Sequence, residues 1–294
     1  MGPVPSKSPL SCCAEERPMP KFTLKRDLVD HRDHQIRFRD HHLAAPLPSK
    51  VDLRPYECYP IFSQGFIGSC TAHAIAAAFH FSMIRQGLEA FAPSRLFIYF
   101  NERVFEGTEN SDAGASLRTG ITTCLKIGVC DEKLWPYSQW HFKQRPADTC
   151  YQQALHHRAV QYARVDQTVD SMRRCLGMGI PFVFGFTVYS SFAIGPCMFT
   201  GTMDMPLPFD VPLGGHAVMA CGYDDELEAI LVRNSWSHYW GDGGYFHMPY
   251  AFVTNPKYCS DFWAINWVEG SDFPSDRPSE PTSRGCASAC KGSP

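Results

Sequence analysis

The chain has 294 residues, a net charge of −3, thirteen cysteines and 44% hydrophobic residues. That hydrophobic content is typical of a globular protein with a substantial core, and about 220 residues suffice for one enzyme-sized domain. Because the charge is nearly balanced and no run of five like charges occurs, the composition argues against a nucleic-acid-binding or anionic-membrane surface.

The predicted secondary structure places helices in the first half of the chain and strands in the second. Apolar periodicity and breaker residues predict helices near 71–86, 94–105, 115–127, 149–158 and 168–177. Strands are predicted at 181–188, 216–223, 229–235, 243–248 and 261–267. Since helices and strands do not alternate along the chain, this order favours an α+β fold.

Three segments are predicted from the distribution of composition. Residues 1–45 form an N-terminal extension, residues 46–268 one domain, and residues 269–294 a Pro/Ser/Gly-rich tail that we expect to be disordered. The extension contains the acidic and histidine-rich stretches 30–34 and 40–42, but their spacing matches no closed tetrahedral zinc site. We therefore expect a short solvated strap, partly disordered, packed along the domain surface, and no metal.

The sequence contains no convincing targeting or membrane segment. Residues 1–20 lack the apolar stretch of a secretory signal, and the apolar runs at 72–84 and 180–194 are too short or too interrupted to span a bilayer. Met1-Gly2 formally begins an N-myristoylation pattern, but Pro3 argues against acylation. With no Asn-x-Ser/Thr site, we expect a cytoplasmic protein in a reducing environment, monomeric and without a membrane partner.

A cysteine begins the first predicted helix. Cys70 follows a Gly-Ser turn and precedes the apolar run TAHAIAAAFHFSMIRQ. Free N–H groups and the positive end of the helix dipole favour an anion there, which predicts a lowered thiol pKa. Taken alone, Cys70 would more often be a small hydrophobe at the start of a core helix, so its interpretation depends on its partners.

Two downstream residues supply those partners. A hairpin that turns near residue 225 or 226 places His216 opposite position 234 or 236, within reach of the Asn234 carboxamide. This amide would hold one imidazole N–H and direct the other nitrogen at a thiol. Trp236 lies on the same strand face and would shield that hydrogen bond from water. Gln64, six residues before Cys70, could stabilise an oxyanion together with the Cys70 backbone N–H.

These residues resemble the papain-like cysteine peptidases, the family of papain and the cathepsins. The match comprises Ile67-Gly68-Ser69-Cys70-Thr71, the segment Asn234-Ser235-Trp236-Ser237-His238-Tyr239-Trp240-Gly241, and a domain start at Leu47-Pro48-Ser49-Lys50. His216 lies 146 residues after Cys70, within the family's spacing of about 130 to 150. Thr after the cysteine and the absence of a cysteine at position 67 are closer to divergent microbial and viral members than to lysosomal cathepsins.

The resemblance implies a two-lobe fold, with a helical lobe, a β-barrel-like lobe and the active-site cleft between them. It implies hydrolysis of peptide or protein substrates without a cofactor. By resemblance Cys70 is the nucleophile, His216 the general base and acid, Asn234 the orienting residue and Gln64 the oxyanion donor. The substrate-binding residues expected on the same basis are Gly114, Ala115, Gly215 and Trp236.

Two departures from the family pattern and three alternatives remain. Ile67 stands where secreted relatives have a disulfide cysteine, and Ser237 replaces a glycine. A transpeptidase or ligase would use the same acyl-enzyme with an amine acceptor. A non-catalytic papain-like binding module and an unrelated thiol–metal protein are the other interpretations, although Cys70, His216 and Gln64 all persist here.

Overall fold

The computed structural model describes residues 19–40, 46–57, 59–158 and 161–266. The predicted tail at 269–294 and the Met1-Gly2-Pro3 pattern lie outside the described residues. The helices are α1 (Cys70–Arg85), α2 (Arg95–Phe105), α3 (Leu117–Lys126), α4 (Asp148–Ala154), α5 (Val169–Gly177), α6 (Ser190–Ile194), α7 (Cys197–Thr200) and α8 (Tyr250–Val253). The strands are β1 (Lys50–Asp52), β2 (Gln161–Arg164), β3 (Phe182–Tyr189), β4 (Pro212–Asp224), β5 (Ala229–Arg233), β6 (Tyr245–Pro249) and β7 (Cys259–Asn266).

Helix α1 is the centre of the helical part of the molecule. All but its last two residues are buried, because apolar side chains surround the helix and it packs against α2, α3 and β4. Its two helical neighbours begin at serine caps: Ser94 accepts a hydrogen bond from the Phe97 N–H, and Ser116 accepts one from the Thr119 N–H. These caps fix where α2 and α3 begin beside α1.

The strands form one antiparallel sheet of seven strands. The order is β2-β7-β3-β4-β5-β6, and β1 pairs with the long strand β4. Within the described part of the chain the sheet stays open, so the predicted barrel-like lobe is barrel-like only loosely. The short elements β1, β2, α6 and α7 were not predicted. Because α1 packs on β4, the start of the helix faces the strand that carries His216.

The N-terminal strap, defined here as residues 19–40, lies along the domain and is partly buried. It forms isolated parallel bridges to both halves of the molecule: Thr23 to Gly215, and Lys25 to Ser116. The side chain of Asp27 is fully buried and accepts a hydrogen bond from the Trp263 indole at 2.8 Å. The strap is therefore part of the folded domain surface and enters the region between helices and sheet.

An ionic cluster fixes the middle of the strap. Arg164 on β2 forms ion pairs with Asp27 at 3.0 Å, with Asp33 at 2.9 Å and with Asp261 at 3.3 Å. Arg118 on α3 pairs with Asp33 as well. Charged groups that are this buried are stable only when paired, and here the two strap carboxylates of the cluster, Asp27 and Asp33, both have arginine partners.

Candidate active site

Cys70 is the first residue of α1 and is fully buried. The backbone N–H of Ala217, which follows His216 on β4, acts to lower the pKa of the Cys70 thiol, but burial has the larger and opposite effect. Burial raises the pKa of Cys70 to about 12, so the lowered pKa expected from the helix dipole is wrong for this state of the cleft. Desolvation of the fully buried thiol outweighs the effect of the helix dipole.

His216 and Asn234 are brought together as predicted. The imidazole Nε2 lies 2.9 Å from Asn234 Oδ1; since that oxygen can only accept, Nε2 carries the proton. Nδ1 has no hydrogen-bond partner among the described residues, which leaves its lone pair free. Burial lowers the pKa of His216 to about 4, against the raising effect of the Asn234 hydrogen bond. Where they are buried, the His216 imidazole and the Cys70 thiol thus both favour their uncharged forms.

The hairpin register explains this contact. Met219 on β4 pairs with Arg233 on β5, and continuing that register places His216 opposite Trp236. The indole of Trp236 is stacked on the imidazole at 5.0 Å with an interplanar angle of 28°. The predicted shielding of the His–Asn hydrogen bond by Trp236 therefore has the required geometry. Asn234 lies two residues before Trp236, and its carboxamide reaches the same imidazole ring.

Gln64 is fully buried and held in one orientation. Its Oε1 accepts a hydrogen bond from the Ser235 hydroxyl at 2.7 Å, and its Nε2 donates to the Ile67 carbonyl oxygen at 3.0 Å. Because the hydroxyl fixes the carbonyl end, one Nε2 hydrogen remains free to donate. Ser235 was recognised only as part of a motif; the contact with Gln64 depends on a fold that brings residues 171 positions apart together.

The four predicted substrate-binding residues all contact the strap. The Leu24 N–H donates to the Gly215 carbonyl oxygen at 3.1 Å, and the Lys25 N–H donates to the Ala115 carbonyl oxygen at 3.1 Å. A methyl group at Gly114 would lie 2.1 Å from the Thr23 carbonyl oxygen, so only glycine permits this approach.

The ring of Phe22 completes the cover over the histidine. It lies 6.2 Å from the His216 ring and 5.8 Å from the Trp236 ring. Residues 22–25 of the strap therefore occupy the cleft that contains Cys70. A groove of about 390 Å³ opens beside Leu24, lined by Phe186, Leu213, Tyr258 and neighbouring residues.

Three polar residues near the cysteine could not be identified from the sequence. Glu102 on α2 accepts a hydrogen bond from the Thr71 hydroxyl at 2.6 Å, and burial raises its pKa to about 8. Tyr137 donates to the Gln64 carbonyl oxygen at 2.9 Å. Asp112 accepts the Gly68 N–H at 2.9 Å. Each hydrogen bond joins segments that are far apart in the chain, so no local sequence pattern predicts it.

No metal centre is found in the described ranges: they contain no group of three or more His, Cys, Asp or Glu side chains placed to hold a metal ion. Among the described residues, no helix combines the length and the apolar character needed to cross a bilayer.

Comparison with known proteins identifies relatives for most of the chain. The family model described as "Papain family cysteine protease" matches residues 47–259. An uncharacterised peptidase C1-like protein of Acanthamoeba polyphaga mimivirus is 44% identical over 214 residues, which cover 70% of this chain and 69% of the relative. The thiol protease aleurain of Arabidopsis thaliana is 29% identical over 221 residues, covering 69% of this chain and 56% of that protein.

A solved structure gives the same assignment. Xylellain, a cysteine protease from Xylella fastidiosa, superposes with a TM-score of 0.81 at 40% sequence identity. The alignment covers 87% of this chain and 99% of that one. The match therefore includes both the helices and the sheet.

Proposed function

The chain belongs to the papain family of cysteine proteases and is a cysteine peptidase, and we propose that it hydrolyses peptide bonds through an acyl-enzyme formed on Cys70. The observation that carries this assignment of roles is the 2.9 Å hydrogen bond from His216 Nε2–H to Asn234. It leaves Nδ1 without a hydrogen-bond partner on the residue next to Ala217, whose backbone N–H acts to lower the pKa of the Cys70 thiol. Nucleophile, base and orienting amide are then contiguous.

The proposed reaction has two steps. Cys70 transfers its proton to His216 Nδ1 and its sulfur attacks the peptide carbonyl carbon, giving a tetrahedral oxyanion. His216 then protonates the leaving amine as the C–N bond breaks, which leaves the acyl group on Cys70. Water, deprotonated by His216, attacks the thioester and releases the carboxylic acid and the free thiol.

The oxyanion is proposed to be held by Gln64 and by the backbone N–H of Cys70. The carbonyl end of the Gln64 amide is occupied by Ser235, so the free Nε2 hydrogen is the group available to a substrate. Preorganised donors of this kind stabilise developing negative charge without reorganisation in the transition state. The α1 N-terminus adds a favourable dipole at the same place.

We also propose that the extension 1–45 is a regulatory segment outside the catalytic domain 46–268. Its part at 22–25 bonds to Gly215 and Ala115, the backbone groups assigned above to substrate binding. Substrate and strap then compete for the same carbonyl acceptors. Displacement of the strap also admits water to the cleft, which favours the thiolate–imidazolium pair that burial now suppresses.

The experiment that tests this function compares peptide hydrolysis by the wild type and by Cys70→Ala. A mixture of fluorogenic peptides serves as substrate, and Cys124→Ala, which removes a fully buried thiol on α3, is the matched control. We expect turnover for the wild type and the control and none for Cys70→Ala. Equal turnover by Cys70→Ala would refute the assignment of the nucleophile.

We also propose that the protein is a monomer in a reducing compartment such as the cytoplasm. Its support is that the eight cysteines for which the structure gives a state are all buried free thiols. Thiol titration of denatured protein purified without reductant tests the redox state, and light scattering tests the oligomeric state. Disulfides or a stable dimer would contradict it.

A further inference from the structure

We propose that Asp112 is a positioning residue for the peptidase reaction, acting through Gly68 on the loop 64–70 that carries the oxyanion donors. This inference rests on the proposed function, because it assigns Gln64 and the Cys70 N–H to that loop. Gly68 lies two residues before Cys70 and four after Gln64. A displacement of its backbone would therefore move both donors.

The Asp112 carboxylate joins three parts of the molecule. Its Oδ1 accepts the Gly68 N–H at 2.9 Å and also a hydrogen bond from the Tyr99 hydroxyl on α2. Its Oδ2 lies 2.8 Å from the Lys21 ammonium of the strap. With this partner in place the Asp112 side chain is only 6% exposed. Hydrogen bonds to an ionised carboxylate are stronger and more directional than neutral ones, which suits a fixed anchor.

The loop that carries Asp112 is itself held rigidly. Arg103 on α2 is fully buried and donates to the carbonyl oxygens of Glu109 at 2.7 Å and Ser111 at 2.9 Å. Its guanidinium also lies 4.1 Å from the centre of the Tyr99 ring. A continuous series of contacts thus runs from α2 through Asp112 to the Gly68 N–H.

The sequence explains why the loop needs such an anchor. Ile67 stands where secreted relatives have a disulfide cysteine, so the bridge expected beside the nucleophile is missing. Ile67 is buried and its carbonyl oxygen is bonded to Gln64, within the same loop. The bond from Gly68 to Asp112 instead connects the loop to a neighbouring segment 44 residues away. The hydrogen bond from Gly68 to the Asp112 carboxylate thus constrains the loop in place of the missing disulfide.

The test compares two reactions of Cys70 in the full-length protein. Peptide turnover needs the oxyanion donors, whereas alkylation of the thiol by iodoacetamide needs only the thiolate. Both reactions need an open cleft, so their ratio is independent of how often the strap leaves. The ratio of kcat/KM to the alkylation rate constant therefore reports the geometry of the oxyanion donors.

Variants at one position separate geometry from charge. Asp112→Ala removes the acceptor and should lower the ratio about tenfold, less than the roughly 10²–10³-fold for a lost oxyanion donor, because the donors are displaced rather than removed. Asp112→Asn retains an acceptor oxygen and should preserve most of the ratio, although it weakens the contact with Lys21. Asp112→Glu retains the charge but displaces the acceptor, and should lower the ratio; it also serves if the alanine variant does not fold.

Glu106 offers a matched control. It too binds a strap lysine, Lys25 at 2.6 Å, and accepts a backbone N–H, that of Ser116 at 2.9 Å, but on the loop before α3. Glu106→Ala should loosen the strap and leave the ratio unchanged. A wild-type ratio in both Asp112→Ala and Asp112→Glu, or an equal fall in Asp112→Asn and Asp112→Ala, would overturn the positioning role.

Hydrogen–deuterium exchange separates failure of this inference from failure of the proposed function. Peptides covering 64–70 should exchange faster in Asp112→Ala than in the wild type, Asp112→Asn and Glu106→Ala. If the wild type neither turns over peptides nor reacts with iodoacetamide, the proposed function fails, and the exchange data still decide whether Asp112 holds the loop. Unchanged exchange in Asp112→Ala would refute the positioning role directly.

Discussion

The backbone N–H of Leu24 donates to the carbonyl oxygen of Gly215 at 3.1 Å. Gly215 immediately precedes His216 on β4, so this bond places the strap next to the histidine. The ring of Phe22 then lies over His216 and Trp236, and the backbone of Thr23 lies against Gly114. One short segment thus covers the residues proposed for catalysis and those proposed for substrate binding. The accessibility of Cys70 depends on whether this segment stays in place.

Weakening the ends of this segment should expose Cys70. Lys21 pairs with Asp112 and Lys25 with Glu106, and the two lysine side chains are 55% and 42% exposed. Exposed pairs contribute only about 0.2–1 kcal/mol each, so losing both in Lys21→Ala/Lys25→Ala should accelerate alkylation of Cys70 by roughly two- to thirtyfold. The control is Arg32→Ala, whose pair with Asp30 lies within the strap. No acceleration in the double variant would show that these pairs do not retain the strap.

Removing the Gln64 carboxamide should impair turnover far more than thiol reactivity. Gln64→Ala deletes the free Nε2 hydrogen assigned to the oxyanion, and losing one such donor typically lowers kcat about 10²–10³-fold. The rate of alkylation by iodoacetamide should change by less than about threefold, since that reaction forms no oxyanion. Gln144→Ala, at an exposed position, is the control. A parallel fall in both rates would indicate a general distortion of the cleft.

Asn234→Ala should slow turnover by disordering the imidazole. Without the 2.9 Å bond to Asn234 Oδ1, the His216 ring loses the contact that fixes its tautomer and plane. We expect kcat to fall about 10- to 100-fold, less than for Cys70→Ala, because base and nucleophile remain. The comparison is steady-state kinetics against Asn110→Ala, an exposed asparagine. Wild-type kcat in Asn234→Ala would contradict the orienting role.

Glu102 should make stability depend on pH. Burial raises its pKa to about 8 from the usual value of 4.5, against the lowering effect of the Thr71 hydrogen bond. A carboxyl group whose pKa is higher in the folded than in the unfolded state stabilises the fold at pH values below its unfolded-state pKa. This contribution is lost as the pH rises from about 4.5 to 8.

Glu102→Gln removes this titration while keeping the acceptor for Thr71. Between pH 4.5 and 8.5 the free energy of unfolding of the variant should rise by roughly 3–5 kcal/mol relative to that of the wild type. Urea denaturation at each pH measures this difference. Glu226→Gln, at an exposed position, is the control. A flat difference for Glu102→Gln would mean that the carboxyl is not buried in its neutral form.

The sequence predicted the elements that carry the site well, because their patterns are local. The helix beginning at Cys70 was predicted to begin at residue 71, and the hairpin of β4 and β5 was predicted closely enough to bring Asn234 to His216. Apolar periodicity and a polar turn determine both, and the family motif adds Gln64.

What the sequence could not predict depends on contacts between distant segments. The depth at which the strap lies is set by pairs such as Leu24 with Gly215, far apart in the chain. The expected lowering of the Cys70 pKa was wrong because tertiary packing buries the thiol completely, and that burial raises the pKa. Asp112 and Glu102 are ordinary surface-type residues in the sequence and become buried only when α2 packs against the loop 64–70 and α1.

The most direct test is the intact mass of the reduced full-length protein after incubation with a peptidyl vinyl sulfone, with Cys70→Ala in parallel. The proposed mechanism predicts one adduct per chain, mapped to Cys70 among the thirteen cysteines, faster in Lys21→Ala/Lys25→Ala and absent from Cys70→Ala. An adduct of equal yield on Cys70→Ala, or none on the folded wild type and the lysine variant alike, would contradict it.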